Sequence, residues 1–147
     1  MGSLHHTHTV PIDFDRATYE KARDAAGGSD EKLFEDYFDS QYEMLQVLRP
    51  PIVGHFDLIR LLSDHRDLEF KAMEGVWERI ERNLEFVASY GGILELNSSG
   101  LRKGLAEPYP CLPICQARHT ASFPAFHIYT FSDSYRSASL AWVVVLP

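Results

Sequence analysis

Residues 40–61 read "SQYEMLQVLRPPIVGHFDLIRL", and the two prolines in their middle decide how the chain on either side is organised. Before them, Leu33, Phe34, Tyr37, Phe38, Tyr42, Leu45 and Leu48 recur at three- and four-residue intervals. That period predicts an amphipathic helix with one apolar stripe. Gly27-Gly28 breaks the chain ahead of it, and Ser29 and Asp30 are suited to cap its start. Proline lacks an amide hydrogen and restricts the residue before it, so the helix must stop at Arg49. The β-branched pair Ile52-Val53 then predicts a short buried strand ending near His55.

The pattern repeats downstream. Val76, Trp77, Ile80, Leu84 and Val87 predict a second helix over about 72–89, ended by Gly91-Gly92. "ILELN" (93–97) alternates, with Ile93, Glu95 and Asn97 on one face and Leu94 and Leu96 on the other. Helix, strand, helix, strand, joined by short breakers, is the order of parallel β/α units. Such units carry their chemical residues at the carboxyl ends of the strands. His5 in "GSLHH", His55 in "IVGHFD" and Asn97 in "LELNSSGL" occupy that kind of place. A lone histidine in an apolar segment is usually a satisfied core residue; polar residues at three equivalent strand ends weaken that reading.

A chain of 147 residues is one domain's worth, enough to bury about 70% of its unfolded surface. A net charge of −7 argues against nucleic acid or an anionic membrane as a partner, because both reward a basic surface. Cys111 and Cys115, spaced C-x3-C beside two prolines, suit neither a redox pair nor a zinc knuckle and are expected to be free thiols in a reducing compartment. The longest apolar run, "LAWVVVLP" at 140–147, falls well short of the ~20 residues a membrane helix needs. With no secretory signal pattern at its front, the chain is expected to be cytoplasmic.

The opening "MGSLHHTHTVPIDFD" has two readings, an expression-tag leader or the start of a metal site. The far end changes character. Residues 111–147 hold three charged residues, Arg118, Asp133 and Arg136, and lack Lys, Glu, Asn and Gly altogether. So abrupt a shift points to a different origin for the tail, an altered reading frame or a retained intron.

Taken together, "GSLHH…PIDFD", "SQYEMLQVLRPPIVGHFDLIRL" and "ERNLEFVASYGGILELNSSGLRKGLAEPYP" resemble, in order and spacing, the central part of fungal-type histidinol-phosphatases of the polymerase-and-histidinol-phosphatase (PHP) superfamily. The resemblance covers roughly residues 1–115 and favours the metal-site reading of the opening over a tag. It implies an α/β fold, a distorted TIM-like β/α barrel of parallel strands. It also implies a cluster of divalent metals, Zn, Mn or Fe, held by His, Asp and Glu residues. The reaction it implies removes phosphate from L-histidinol phosphate. Carried over by position, His5 of "G-S-x-H" and His55 of "V-G-H-x-D" are expected metal ligands. His6 and Arg102 are the expected phosphate contacts, and Glu95 and Asn97 are expected to orient the site.

Two parts of the family pattern are missing. The H-x-H motif of the first strand would precede Met1, so the barrel is expected to be truncated at its N-terminus. The closing "S-D-D-x-H" is replaced by "YTFSDSYRSASL", where Ser132-Asp133 echoes it and Tyr135 stands in place of the histidine. The expected division is therefore a partial barrel over 1–115 and a divergent tail over 116–147, disordered or misread. With two assured ligands the metal site is incomplete, since zinc takes three or four. The chain is expected to be weak or inactive as a phosphatase. The competing readings are a non-catalytic remnant that binds another protein, and a phosphoesterase acting on another small phosphate ester.

Overall fold

A computed structural model describes residues 1–66 and 69–117, with the backbone of 128–129. The chain opens with a hairpin of β1 (His6–Thr7) and β2 (Val10–Pro11), paired antiparallel with His6 opposite Pro11. Both corner residues, His8 and Thr9, have positive φ, 53° and 64°. A two-residue turn matched to strand twist requires that conformation. A 2.8 Å contact from His8 Nε2 to Asp36 ties the corner to the next long helix.

Helix α1 (Arg16–Ala25) follows, capped by Asp15, whose side chain accepts the Thr18 amide while the Thr18 hydroxyl accepts the Asp15 amide. The sequence reading placed no helix here. Helix α2 (Asp30–Leu48) starts at Ser29, whose side chain accepts the Lys32 amide, and ends at Arg49 in the left-handed conformation, φ 39°. Its buried stripe runs Leu33, Phe34, Tyr37, Phe38, Gln41 and Leu45. Leu48, expected on that stripe, is 63% exposed because the helix has run past the core there.

Strand β3 (Ile52–Val53) leads into a 3-10 turn at Leu58–Leu62, and a second such turn at Phe70–Ala72 precedes α3 (Glu74–Ser89). Strand β4 (Ile93–Glu95) is followed by the short helices α4 (Ser99–Arg102) and α5 (Leu112–Cys115). Backbone pairing places β3 and β4 parallel, Ile52 opposite Ile93. Strand β5 (Ile128–Tyr129) lies parallel on the far side of β4, with Leu94 opposite Ile128. The Gly2 segment runs parallel along the free edge of β3, donating to Ile52 O at 2.8 Å and accepting from the Gly54 amide at 2.9 Å. Gly2 is required there, because a β-carbon would stand 2.7 Å from the ring of Pro50.

The parallel α/β order expected from the sequence is thus present. The antiparallel hairpin was not expected. It means His5 lies beyond the Gly2 bridge, on the way into β1, rather than at the end of a long parallel strand. The expected tail of 116–147 contributes β5 to the sheet; Ser132, Asp133 and Tyr135 lie outside the described residues. Cys111 and Cys115 are free, the first buried, and burial pushes both thiols above their usual range. Among the described residues no helix is long and apolar enough to cross a membrane.

Helices α2 and α3 cover the sheet through an apolar core that includes Phe34, Phe38, Phe56 and Phe70, with ring centroids 5.7–5.9 Å apart along the Phe34–Phe70–Phe38–Phe56 path. Two fully buried amides cross this core. Asn83 of α3 donates to Phe38 O at 2.7 Å and to Gln41 Oε1 at 3.1 Å. Gln41 in turn donates to Phe56 O at 2.8 Å. Replacing Asn83 with Leu strips Gln41 Oε1 of its donor inside the core. The loss should be about 1–3 kcal/mol of folding stability, read from the shift of a urea unfolding curve; an unshifted midpoint would show the amide chain to be idle.

Candidate functional site

The site forms where β3 ends. After Val53 the chain has only Gly54 before it turns at His55, whose φ is 42°. A left-handed backbone costs a residue with a side chain roughly 1–2 kcal/mol, so the loop must be held from outside. The Phe56 carbonyl supplies that hold, accepting from Gln41 at 2.8 Å and from the Tyr37 hydroxyl at 3.4 Å. Leu58 N–H closes the turn on His55 O at 2.9 Å.

His5 arrives from the other side, next to the bridge that Gly2 makes with β3. Ile12 N–H binds its carbonyl at 3.0 Å, and its Nδ1 lies 3.0 Å from Asp13 Oδ2. With Nδ1–H given to Asp13, Nε2 carries the lone pair, the arrangement in which a carboxylate orients a ligand histidine. The two imidazoles meet edge to face, with centroids 5.5 Å apart.

Glu95, the last residue of β4, completes the group. Its side chain is only 9% exposed, and Oε2 stands 4.0 Å from His55 Nε2. Among the described residues that oxygen has no hydrogen-bond partner, and neither has His55 Nδ1. Gly54 leaves room for the carboxylate: a β-carbon there would lie 3.1 Å from Glu95 Oε2. Burial lowers the His55 pKa; Glu95 pulls it upward, while His5 and Lys103 push it down. The imidazole is therefore neutral near pH 7 and keeps a lone pair for a ligand.

A wall of the site is built by Tyr109, fully buried, whose ring meets His55 edge-on at 6.2 Å. Its antiparallel bridge to Asn97 sets the backbone, and Arg60 covers the ring at 5.4 Å. Arg60 is almost wholly buried. It pairs with Asp57 at 2.9 Å and donates to the carbonyls of Glu107 and Pro108. Asp57 also accepts the Cys111 amide at 2.9 Å, so the segment 107–111 is fastened to the turn that carries His55.

The neutral His55 imidazole, the His5 ring beside Asp13 and the buried Glu95 carboxylate are donor types that suit a divalent cation such as Zn, Mn or Fe. Among the described residues, no three His, Cys, Asp or Glu side chains close around one point as a cage.

Residues 1–99 match the family model of the PHP domain. The chain belongs to the PHP domain family. Over 111 residues this PHP chain is 46% identical to a Schizosaccharomyces pombe protein named "Probable histidinol-phosphatase", an alignment taking in 75% of this chain and 36% of that protein. It is 35% identical over 136 residues to the Saccharomyces cerevisiae "Histidinol-phosphatase", covering 78% of this chain and 40% of that one. The PHP chain thus spans well under half the length of these curated relatives.

Of the sequence-expected residues, the fold brings His5 and His55 into contact. His6 is exposed on β1, one step along from His5 and so facing the opposite way. Arg102 is exposed in the last turn of α4; the neighbouring Lys103 is a cation whose charge reaches His55. Asn97 Oδ1 is occupied by the Ser99 amide at 2.8 Å, starting α4. Asp13 and Tyr109 were not singled out from sequence. Neither sits on a periodic face, and only the fold brings them to the histidines.

If His55 holds its left-handed turn against an intrinsic cost, glycine should relieve it. We expect His55→Gly to be more stable than His55→Ala by about 1 kcal/mol, the reverse of their order in a helix. Urea midpoints for the two variants decide it; equal midpoints would mean that the turn carries no such cost.

Proposed function

We propose that this PHP chain carries part of a divalent-metal site for hydrolysis of a small phosphate monoester. Histidinol phosphate is the substrate, in a distorted β/α barrel of which the parallel sheet here is a section. The contact of the His5 and His55 rings at 5.5 Å, at the carboxyl ends of adjacent parallel segments, carries this reading. The names of both relatives support the substrate.

His5 and His55 would hold the ion, His5 fixed by Asp13 and His55 by its anchored turn. When bound, such an ion lowers the pKa of water and neutralises phosphate oxygens. The chain's own part is positional. It presents imidazole nitrogens, keeps bulk water from His55 by burial, and carries Arg102 beyond a strand end, where a guanidinium is suited to grip phosphate oxygens. His6 is left out, since it stands on the opposite side of β1 from His5.

Two imidazoles are fewer than the three or four donors that a zinc centre takes. The 147-residue chain should therefore release phosphate from L-histidinol phosphate only slowly with added Mn or Zn, and far more slowly than the Schizosaccharomyces pombe protein assayed beside it. His55→Ala should remove what activity there is. Turnover that survives both EDTA and His55→Ala would overturn the metal reading, and turnover matching the longer protein would overturn the expectation of weakness.

A further inference from the structure

Arg60, which covers the Tyr109 ring at 5.4 Å, also lines a cavity of about 230 Å³ that takes in none of His5, His55 and Glu95. Cys111 and Pro113 give this cavity apolar surface. Its other charged lining residues are Arg66, Glu69 and Glu107. Opposite charges that share a cavity are free to close on each other. Here they stay apart: among the described residues, neither carboxylate lies within 4.0 Å of the Arg66 guanidinium.

Arg60 sets that separation. Its Nη1 reaches the main-chain oxygen of Arg66 at 3.5 Å, and its Nη2 donates to that of Glu107 at 3.0 Å. One buried guanidinium thus spaces the two chain segments. Its own charge is balanced by Asp57, 2.9 Å away. The Glu107 carboxylate is aimed by the Leu112 amide, which donates to its Oε2 at 3.0 Å. A guest therefore meets one guanidinium and two carboxylates, at a spacing the fold fixes. A guest with charge of a single sign would be repelled as well as attracted; one with both signs would find a partner for each.

We propose that this cavity binds a small α-amino acid, its carboxylate on Arg66 and its ammonium on Glu69 and Glu107. The guanidinium fork matches the two oxygens of a carboxylate, and the ammonium donors meet carboxylate oxygens that accept them. The volume suits a small guest, being below the roughly 300–1,000 Å³ of sites for drug-sized ligands. No residue of the metal reading takes part, so the two stand or fall separately. The cavity does border the wall of that site, because the segment that Arg60 fastens carries Tyr109.

The test titrates the full chain, labelled with 15N and 13C, with L-alanine, and separately with propionate and with ethylammonium chloride. Each analogue keeps the carbon skeleton and one of the two charges. L-Alanine should move the amide signals of Arg66, Glu69 and Glu107, with the Tyr109 ring following. It should half-saturate at a concentration about tenfold or more below that of either analogue, as expected when one charge-assisted contact is lost. Arg66→Gln and Glu69→Gln, both at exposed positions, should each weaken L-alanine binding by a similar factor. If L-alanine acts no more readily than propionate or ethylammonium, or binds both variants as it does wild type, the amino-acid site is refuted. Responses confined to His5 and His55 would refute it too, by placing the guest elsewhere. Should a variant fail to fold, the three wild-type titrations decide the matter by themselves.

Discussion

The carbonyl oxygen of Phe56 is the point on which this molecule turns. A strand of two residues has too little pairing to aim the loop that leaves it, and β3 is no longer than that. The Gln41 amide and the Tyr37 hydroxyl, both from α2, catch that oxygen in the core. Gln41 is itself oriented by Asn83 of α3. The position of two helices is thereby transmitted to one backbone atom, and from it to the imidazole one residue earlier. Leaving a buried carbonyl unpaired costs about 1–3 kcal/mol, enough to hold His55 in a conformation that it would not choose alone.

The two histidines reach their meeting point by different means, and their surroundings differ accordingly. His5 has a side chain 41% exposed and is steadied by a carboxylate. His55, at 22%, is steadied through its own backbone, and burial keeps it neutral. A half-open imidazole beside an enclosed one places the pair at the rim of the core. The apolar interior begins at Phe56, and the polar rim begins with Asp13 and Glu95.

Much of this was legible in the sequence because periodicity and prolines act locally. The α2 and α3 stripes, the stop at Arg49-Pro50-Pro51 and the strands at Ile52-Val53 and Ile93–Glu95 follow from neighbours a few residues apart. The approach of His5 to His55 was legible only through the likeness to a family, since fifty residues separate them. Helix α1 escaped because its buried residues are Tyr19 and Ala22, too sparse for an apolar stripe, although Asp15 and Thr18 form a capping pair. Gln41 escaped because a polar residue on an apolar face reads as an interruption; here its amide spans α2 and the His55 turn. Glu95 was read from its strand face and, through the family likeness, as an orienting residue; that its Oε2 has no donor among the described residues is a property of three dimensions. The hairpin hides for a related reason: its corner is His8-Thr9, with no glycine or asparagine to announce positive φ.

The hold that Arg60 exerts has an evolutionary corollary. Its guanidinium meets Asp57, but on the far side it grasps the main-chain oxygens of residues 107 and 108 and not their side chains. Any amino acid contributes the same oxygen. A change of side chain at position 108 thus leaves the grip on that oxygen in place, whereas replacement of Arg60 itself would leave the segment to the Tyr109–Asn97 bridge and the Cys111 amide on Asp57. The contact therefore tolerates a change of side chain in that loop by its own construction, because what it holds is main chain.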